Sequence, residues 1–479
     1  MRMPPCVSPC GDAMIEISEL PGNLSRIDKI WLDRDGTAPK ESRIARAARR
    51  LQIVVGADVA NSHAKQVALL TVVNLAVKCF AAPVQVIAPD SVWAARTLVR
   101  VSLQSTLGNA LEELGGQRHL EGVDPDRVHI LLGDANPRRL SLRITFDGWK
   151  VSVGPAAQVA RLPERPWCAL APLAAAAVAV GEVFASFARI SVAAARRAIG
   201  FSLWRPDLPD DSSDSIGGAI DEAPVELSCF GLGHLGQAYL WALACLPLST
   251  TKGSRIYLCD DDLVESPNLE TGALLNGDTL GHPKTRVVSE WLMKRGFDTR
   301  LIERFVDGNY RRSDREPVIA LSGFDDNEAR QWLTQAGFPL IFDSGLGGEV
   351  GTFDSVAVHT WPNRRPAADL WPLESAQARR EREERARRRA EANQGYGALA
   401  PDECGRVLVA GKSVAVPFVG AVSSAFVLSE MLRTLNAGPA FYDARFRVCA
   451  LSDRSLTASL RSGQADPVSG IRCQQLACS

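Results

Sequence analysis

Val225-Glu226-Leu227-Ser228-Cys229-Phe230-Gly231-Leu232-Gly233-His234-Leu235-Gly236 runs from a short, largely apolar segment through a glycine turn into a helical pattern reaching about Leu246. Arg255 to Cys259 follows as the next apolar run. Strand, glycine turn, helix, strand is the opening of a doubly wound parallel sheet. In that context the three glycines Gly231, Gly233 and Gly236 form a GxGxxG loop, whose backbone N–H groups and following helix N-terminus can face a phosphate. The glycine pattern alone fits NAD, FAD and ATP sites, and also simple tight packing.

The same plan occurs once more upstream. Leu51-Gln52-Ile53-Val54-Val55-Gly56 precedes a helical pattern from about Ala64 to Phe80 and a second apolar run from Val84 to Ala88. Each half also ends in a small-residue-rich helical stretch after a proline, Pro172 to Phe187 and Pro417 to Leu432. The fold class expected is therefore α/β, with two Rossmann-like doubly wound domains in tandem. The first is degenerate: Gly56-Ala57-Asp58-Val59-Ala60-Asn61 lacks the glycine pattern and would turn an aspartate toward any phosphate. We divide the chain into 1–206, an acidic exposed linker at 207–222, an intact domain at 223–445 with a crossover loop near 363–412, and C-terminal strands with a loose tail at 446–479.

The 479 residues suffice for two to four domains at ~100 to 200 residues each. A 46% apolar share, 23% charged residues and a net charge of -1 argue against a whole-surface nucleic-acid binder. None of the 11 cysteines forms a CxxC pair, so no zinc is expected. Residues 1–20 hold no apolar run of signal-peptide length, which points to a reducing cytoplasm and free thiols. Cys168 to Ala188, interrupted by Pro172 and Glu182, reads as a core helix rather than a membrane span. The charge run Ser375 to Glu391 reads as a solvated helix or mobile linker, or as a flexible lid whose arginines meet an acidic partner.

Several acids and one lysine follow the glycine loop in order. Asp260 closes a strand where a dinucleotide fold carries its ribose-binding acid, and Asp262 lies two residues on. Lys284 follows the turn Gly281-His282-Pro283, and Asp325 begins Asp325-Asp326-Asn327-Glu328-Ala329-Arg330 at another strand end. Only 9 of the 54 basic residues are lysine, which gives Lys284 weight. A dehydrogenase has no need of this set. Adenylation does, because it must hold Mg²⁺ with oxygen ligands and neutralise departing pyrophosphate with a cation.

Residues 225–362 resemble the adenylation domain of the ThiF/MoeB and ubiquitin-activating enzyme superfamily, whose pattern runs GxGxxG, DxDxVxxxNLxRQ, GxxK and DNxxxR. The resemblance implies ATP and Mg²⁺ as cofactors. It makes Gly231, Gly233 and Gly236 the nucleotide loop, Asp260 the ribose ligand, and Asp262 and Asn268 neighbours of the phosphates. Lys284 becomes the phosphate lysine and Asp325 the acid associated with Mg²⁺. The chain departs from the pattern at Asn268-Leu269-Glu270-Thr271-Gly272, where Thr271 stands in place of the family arginine. A substitute cation could come from Arg26-Ile27-Asp28-Lys29-Ile30, which loosely resembles the stretch that supplies an arginine from the other half, so Arg26, Lys29 and Arg34 are candidates. The degraded-then-intact layout is similar to eukaryotic-type activating enzymes and to those of Bil-type bacterial ubiquitin-like conjugation operons implicated in phage defence.

That likeness implies a ubiquitin-like protein and a conjugating enzyme as partners, with no nucleic acid and no membrane, and one chain arranged as a pseudo-dimer. Between Pro362 and Pro417 there is room only for a loop, and its one cysteine is Cys404 in Pro401-Asp402-Glu403-Cys404-Gly405-Arg406. Cys404 is the candidate thioester nucleophile. Rival readings are an adenylyltransferase acting on a sulfur carrier, peptide or tRNA without a thioester, and a nucleotide-binding scaffold that has lost catalysis.

Overall fold

The computed structural model describes residues 24–49, 51–137, 139–248, 254–397, 399–400, 402–453, 457–460 and 471–476. Cys6, Cys10 and Cys478 lie outside them. The first half builds a seven-stranded sheet from β1 Gln52–Val55, β2 Val84–Ile87, β3 Gly116–Arg118, β4 His129–Leu132, β5 Ser141–Asp147, β6 Lys150–Pro155 and β7 Ile199–Ser202, in the order β3-β2-β1-β4-β5-β6-β7. The second half builds β8 Glu226–Phe230, β9 Arg255–Cys259, β10 Asp298–Ile302, β11 Ile319–Ser322, β12 Leu340–Leu346, β13 Ser355–Trp361, β14 Phe441–Arg447 and β15 Thr457–Leu460, in the order β10-β9-β8-β11-β12-β13-β14-β15. The two sheets repeat one topology. In both, the first five strands are parallel, and the chain then turns back into antiparallel strands. The fold is thus α/β in two tandem doubly wound units.

Helices α1 Lys29–Asp35, α2 Pro39–Ala47, α3 His63–Phe80 and α4 Leu170–Phe187 belong to the first half. The second holds α5 His234–Ala244, α6 Ser266–Thr271, α7 Lys284–Lys294, α8 Asn327–Gln335, α9 Ala376–Ala392, α10 Glu403–Ala410 and α11 Pro417–Leu435. By length and composition α4 and α11 could each cross a membrane, but here both are buried against each other and against α3 and α5. Their small residues permit close approach: a Cβ at Gly181 would lie 3.0 Å from the Phe418 ring. Phe184 packs on the same ring at 5.6 Å between centroids. One apolar core therefore runs through both halves.

The seam also contains charge. Arg46 is fully buried, and its Nε and Nη2 donate to the Asp28 carboxylate at 2.9 and 3.0 Å. Nη2 also reaches Glu270 Oε1 of the second half at 3.2 Å, and Nη1 donates to the Cys79 and Lys78 carbonyls at 2.9 and 3.1 Å. Glu270 accepts further from Arg43 at 3.1 Å and from the Ser25 hydroxyl. Burial works to raise the Glu270 pKa, but Arg46, Ser25 and Arg43 hold it below the usual carboxylate range. Lys78 donates to the Leu269 and Leu275 carbonyls at 2.8 and 3.2 Å, and burial draws its pKa down to about 8. So α6, carrying the departed motif, is used to join the halves.

Three segments differ from the sequence reading. The expected linker keeps Asp207, Asp211 and Asp214 exposed but is pinned rather than loose: Ser215 is fully buried, and Trp149 Nε1 donates to the Gly218 carbonyl at 2.8 Å. Within the expected loose tail, Cys473–Gln475 pairs antiparallel with Glu222–Pro224. The crossover is largely helical rather than a loop, with a short helix at Ala367–Leu370 before α9 and α10. Ser375 caps α9 by accepting from the Ala378 N–H at 3.1 Å, and i,i+4 pairs such as Arg379–Glu383 support its length. Its alanines Ala386 and Ala390 then bury against Leu32, Tyr396 and Val409. Cys449 lies buried in the 3-10 segment Val448–Asp453 after β14.

Glu270→Ala leaves Arg46 with one of its two carboxylates, and is expected to lower stability by about 3 kcal/mol in urea unfolding, against little change for the exposed Glu290→Ala.

Candidate active site

The glycine loop follows directly from β8. Gly231 has φ +74, a left-handed conformation natural to glycine. A Cβ at Gly236 would lie 1.9 Å from the Gly231 carbonyl oxygen, so that residue must be glycine for α5 to meet the strand. Gly323, after β11, presses on the same two residues, and its place in this three-glycine contact was not legible from the motif. At Gly233, by contrast, a Cβ would meet open space. Of the motif glycines, Gly231 and Gly233 line a cleft of about 730 Å³, whereas Gly236 serves the packing behind it. That volume is within the range of small-molecule sites, about 300–1,000 Å³.

The strand ends bring the acids and the lysine to the same cleft. Asp260, just past β9, accepts from the Leu232 N–H at 2.5 Å and from the Asp262 N–H at 2.8 Å, tying the glycine loop to the next strand. Burial raises its pKa above the ordinary carboxylate value, opposed by Lys284 and those two N–H groups. The chain segments around Asp262 and Lys284 bond to each other: Lys284 N–H donates to the Asp262 carbonyl at 3.0 Å and Val264 N–H to the His282 carbonyl at 2.9 Å. This places Lys284, the first residue of α7 and nearly buried, with its Nζ 2.6 Å from Asp262 Oδ2. Asp325 and Asp326 face the cleft after β11, and Asp326 caps α8 by accepting from the Ala329 N–H at 2.9 Å. Oxygen donors suited to a hard cation are therefore available: Asp260, Asp261 and Asp262 have ligand atoms within 4.8 Å of one another, with Asp325 in the same cleft.

Arg330, which ends the DNxxxR-like stretch, is structural. It donates to Asp343 at 3.1 Å, Asn327 at 2.8 Å, the Ser344 carbonyl at 3.0 Å and the Phe324 carbonyl. Among the cleft residues missed in the sequence are Phe305, 57% exposed and edge-on to Trp332, and His234 within the glycine loop itself. Phe305 carries no signal beyond being apolar in a loop after β10. His234 has its Nε2 enclosed with no hydrogen-bond partner among the described residues, 2.4 Å from where a Cβ at Gly420 would sit. Burial draws its pKa down to about 4, against a hydrogen bond to the Pro417 backbone.

The equivalent place in the first half is filled by side chains. Asp58 Oδ1 accepts from the Asp134 N–H at 2.9 Å, while its other oxygen meets Lys65 at 2.7 Å and Arg161. Both cations also pair with Glu164, at 3.1 and 2.6 Å. A Cβ at Gly56 would lie 1.8 Å from Asp134 Oδ1, so the turn is closed by this cluster.

Comparison with known proteins agrees with this two-part layout. A family model described as the BilD N-terminal domain matches residues 50–203, and one described as the BilD C-terminal domain matches residues 223–438. A bacterial E1-like protein BilD from Collimonas sp. (strain OK412) is 36% identical over 423 residues, covering 87% of this chain and 90% of that protein. The chain belongs to the bacterial E1-like BilD family. Among solved structures, E. coli MccB with ATP is similar at 15% identity and a TM-score of 0.34, over 51% of this chain. E. coli MccB with SeMet MccA is similar at 14% identity and a TM-score of 0.33, over 50%. In both, the chain spans 66% of the MccB chain.

Within this BilD-family chain several expected site residues take other places. Asn268 is absent from the cleft wall; its Oδ1 accepts from the Glu265 N–H at 2.8 Å in a capping box that starts α6. Lys29 is buried with Asp33 at 2.6 Å and Tyr396 at 2.9 Å, and Arg34 pairs with Asp35 and the Ala188 carbonyl. Arg26 alone of the three approaches the cleft. It donates to the carbonyl of the cleft residue Ser413 at 3.4 Å; burial lowers its pKa while the charges of Glu265 and Asp325 oppose the effect. Cys404 is not on a loop but in the first turn of α10, exposed and outside the cleft wall. Ala410, at the other end of α10, does line the cleft, about 9 Å away along the helix axis.

Gly236→Ala is expected to displace the loop and lower thermal stability, whereas Gly233→Ala keeps the fold, and paired melting curves check this. His234 provides a pH test. Its pKa falls from 6.5 to about 4 on folding, so the unfolded chain takes up a proton in that window that the folded chain does not. Stability present above pH 6.5 is lost toward pH 4, by about 3 kcal/mol from this residue, and His234→Gln should flatten the profile by that amount.

Proposed function

We propose that this chain activates the C-terminal carboxylate of a ubiquitin-like protein by adenylation with ATP, captures it on Cys404 as a thioester, and passes it to a conjugating enzyme. The observation that carries this reading is the asymmetry between the halves: one strand-end cleft gathers Gly231, Gly233, Asp260, Asp262, Lys284 and Asp325, while its counterpart is filled by Asp58, Lys65, Arg161 and Glu164. The family relationship supports it further. In this reading Asp260 holds the ribose, and the open space beside Gly233 admits phosphate to the N–H groups of α5. Asp325, with Asp262 and Asp260 nearby, would hold Mg²⁺, which supplies charge neutralisation of the phosphates.

Lys284 exchanges its pair with Asp262 for the phosphates. A carboxylate oxygen of the protein substrate bonds to the α-phosphorus as the bond to the bridging oxygen breaks, and Lys284 meets the charge growing on departing pyrophosphate. The Cys404 thiolate then bonds to the acyl carbon and AMP leaves with the electron pair. Cys404 must reach the cleft for this, so α10 or the whole crossover has to move. A cytoplasmic antiphage conjugation system, with the two halves acting as a fused dimer, is the setting this reading implies.

A second reading draws on the position of Cys404 outside the cleft wall: adenylation of a sulfur carrier or peptide with no thioester. ATP–pyrophosphate exchange with and without a candidate ubiquitin-like protein, followed by a non-reducing gel, separates the two. Lys284→Ala is expected to lower exchange about 100- to 1,000-fold. Cys404→Ser should keep exchange and lose a thiol-sensitive adduct. An adduct that survives Cys404→Ser removes that residue from the mechanism, and wild-type exchange with no adduct favours the second reading.

A further inference from the structure

We infer that Arg385 and Arg389 of α9 bind the polyphosphate of the nucleotide, replacing the guanidinium that α6 no longer carries. The inference rests on the reading of the cleft as an ATP site and identifies the cations that complete it.

The vacancy is explained by α6 itself. Thr271 stands where the family arginine would be, and its hydroxyl is spent on the Pro267 carbonyl one turn back, at 3.2 Å. Its neighbour Glu270 turns away to Arg46 and Arg43 in the first half. The replacement must come from another wall of the cleft. Three arginines of α9 line that wall, Arg382, Arg385 and Arg389, and their i, i+3, i+7 spacing keeps them on one side of the helix. Burial of Ala386 and Ala390 against Leu32, Tyr396 and Val409 fixes which side that is.

The other arginines in the wall have partners of their own, and Lys284 and Lys412 line it beside them. Arg330 is locked into Asp343 and three further acceptors, and Arg304 pairs with Asp307 at 3.4 Å and lies over the Tyr310 ring. Arg382 makes two short contacts to Glu374, at 2.8 and 3.0 Å. Arg385 and Arg389 are held differently. Both face Glu349, itself in the cleft wall, at 3.8 and 4.0 Å, which is attraction between charges beyond hydrogen-bond length. Arg389 adds contacts of 3.4 Å to Asp33 and to the Ala410 carbonyl. A polyphosphate offers shorter, charge-assisted and bidentate partners, so the exchange is favourable, and it would draw α9 onto the nucleotide.

The test compares ATP with AMP, both with Mg²⁺, by calorimetric titration of the full chain. Wild type should bind ATP more tightly than AMP. Arg385→Gln/Arg389→Gln should lose about tenfold or more in ATP affinity with AMP affinity held within about twofold, because only the β- and γ-phosphates are read. Arg380→Gln/Arg388→Gln, which removes equal charge from the outer side of α9, should change neither. Because Arg389 also bonds Asp33, the exposed single variant Arg385→Gln is measured alongside with a melting curve, and should show a smaller loss of the same kind. An unchanged ATP affinity in the double variant, or ATP and AMP falling together, overturns the inference while leaving the ATP site in place. A wild-type chain that binds neither nucleotide overturns the reading of the cleft and the inference with it.

Discussion

A single buried guanidinium sets the terms for the rest of the molecule. Arg46 has no contact with water, and its charge is tolerable only because Asp28 and Glu270 converge on it, one from each half. Glu270 can reach it only if α6 lies against the first half. That placement is reinforced by Lys78 bonding to backbone carbonyls around α6. α6 is thereby committed to the seam, and none of its six residues is an arginine that could meet the phosphates. The seam carboxylate and Thr271 are neighbours on α6, and the cleft draws its positive charge from other elements, Lys284 of α7 among them.

The fold was legible because its signals are local and repeat. Short, largely apolar runs ending in glycine, each followed by a helical pattern, recur in both halves and yield the same strand order twice. The candidate residues that the cleft gathers follow strand ends, Asp260, Asp262 and Asp325, or open a helix, Lys284, where topology brings them together. Asn268 was misplaced because a motif position does not say whether a side chain will cap its own helix instead. The charge run Ser375 to Glu391 was read as a solvated helix, linker or lid because its only apolar residues are alanines, a weak core signal. Two of them suffice here, since Leu32 from the first half and Tyr396 just beyond the helix close over them.

Contacts across long sequence separations account for the other misses. The charge run at Ser375 to Glu391 has the composition of a solvated helix, and much of its surface is one. What composition does not reveal is that the arginines at 382, 385 and 389 share a side and that this side forms a wall of the cleft. Gly323 and Gly420 are likewise silent in sequence. Each is small because of a partner far along the chain, the glycine loop in one case and the His234 ring in the other.

The Arg46–Glu270 contact has one more consequence, and it concerns symmetry. Where two copies of a chain pair about a two-fold axis, any contact of residue i with residue j is made twice, and a substitution is felt at both places at once. Two like-folded halves joined in one chain are free of that rule. Arg46 needs a carboxylate opposite it once, and the corresponding position of the other half carries no obligation to match. Each half can therefore specialise by substitutions that a symmetric pair could accept only in duplicate, with one half closing its strand-end cleft by Asp58 while the other keeps it open.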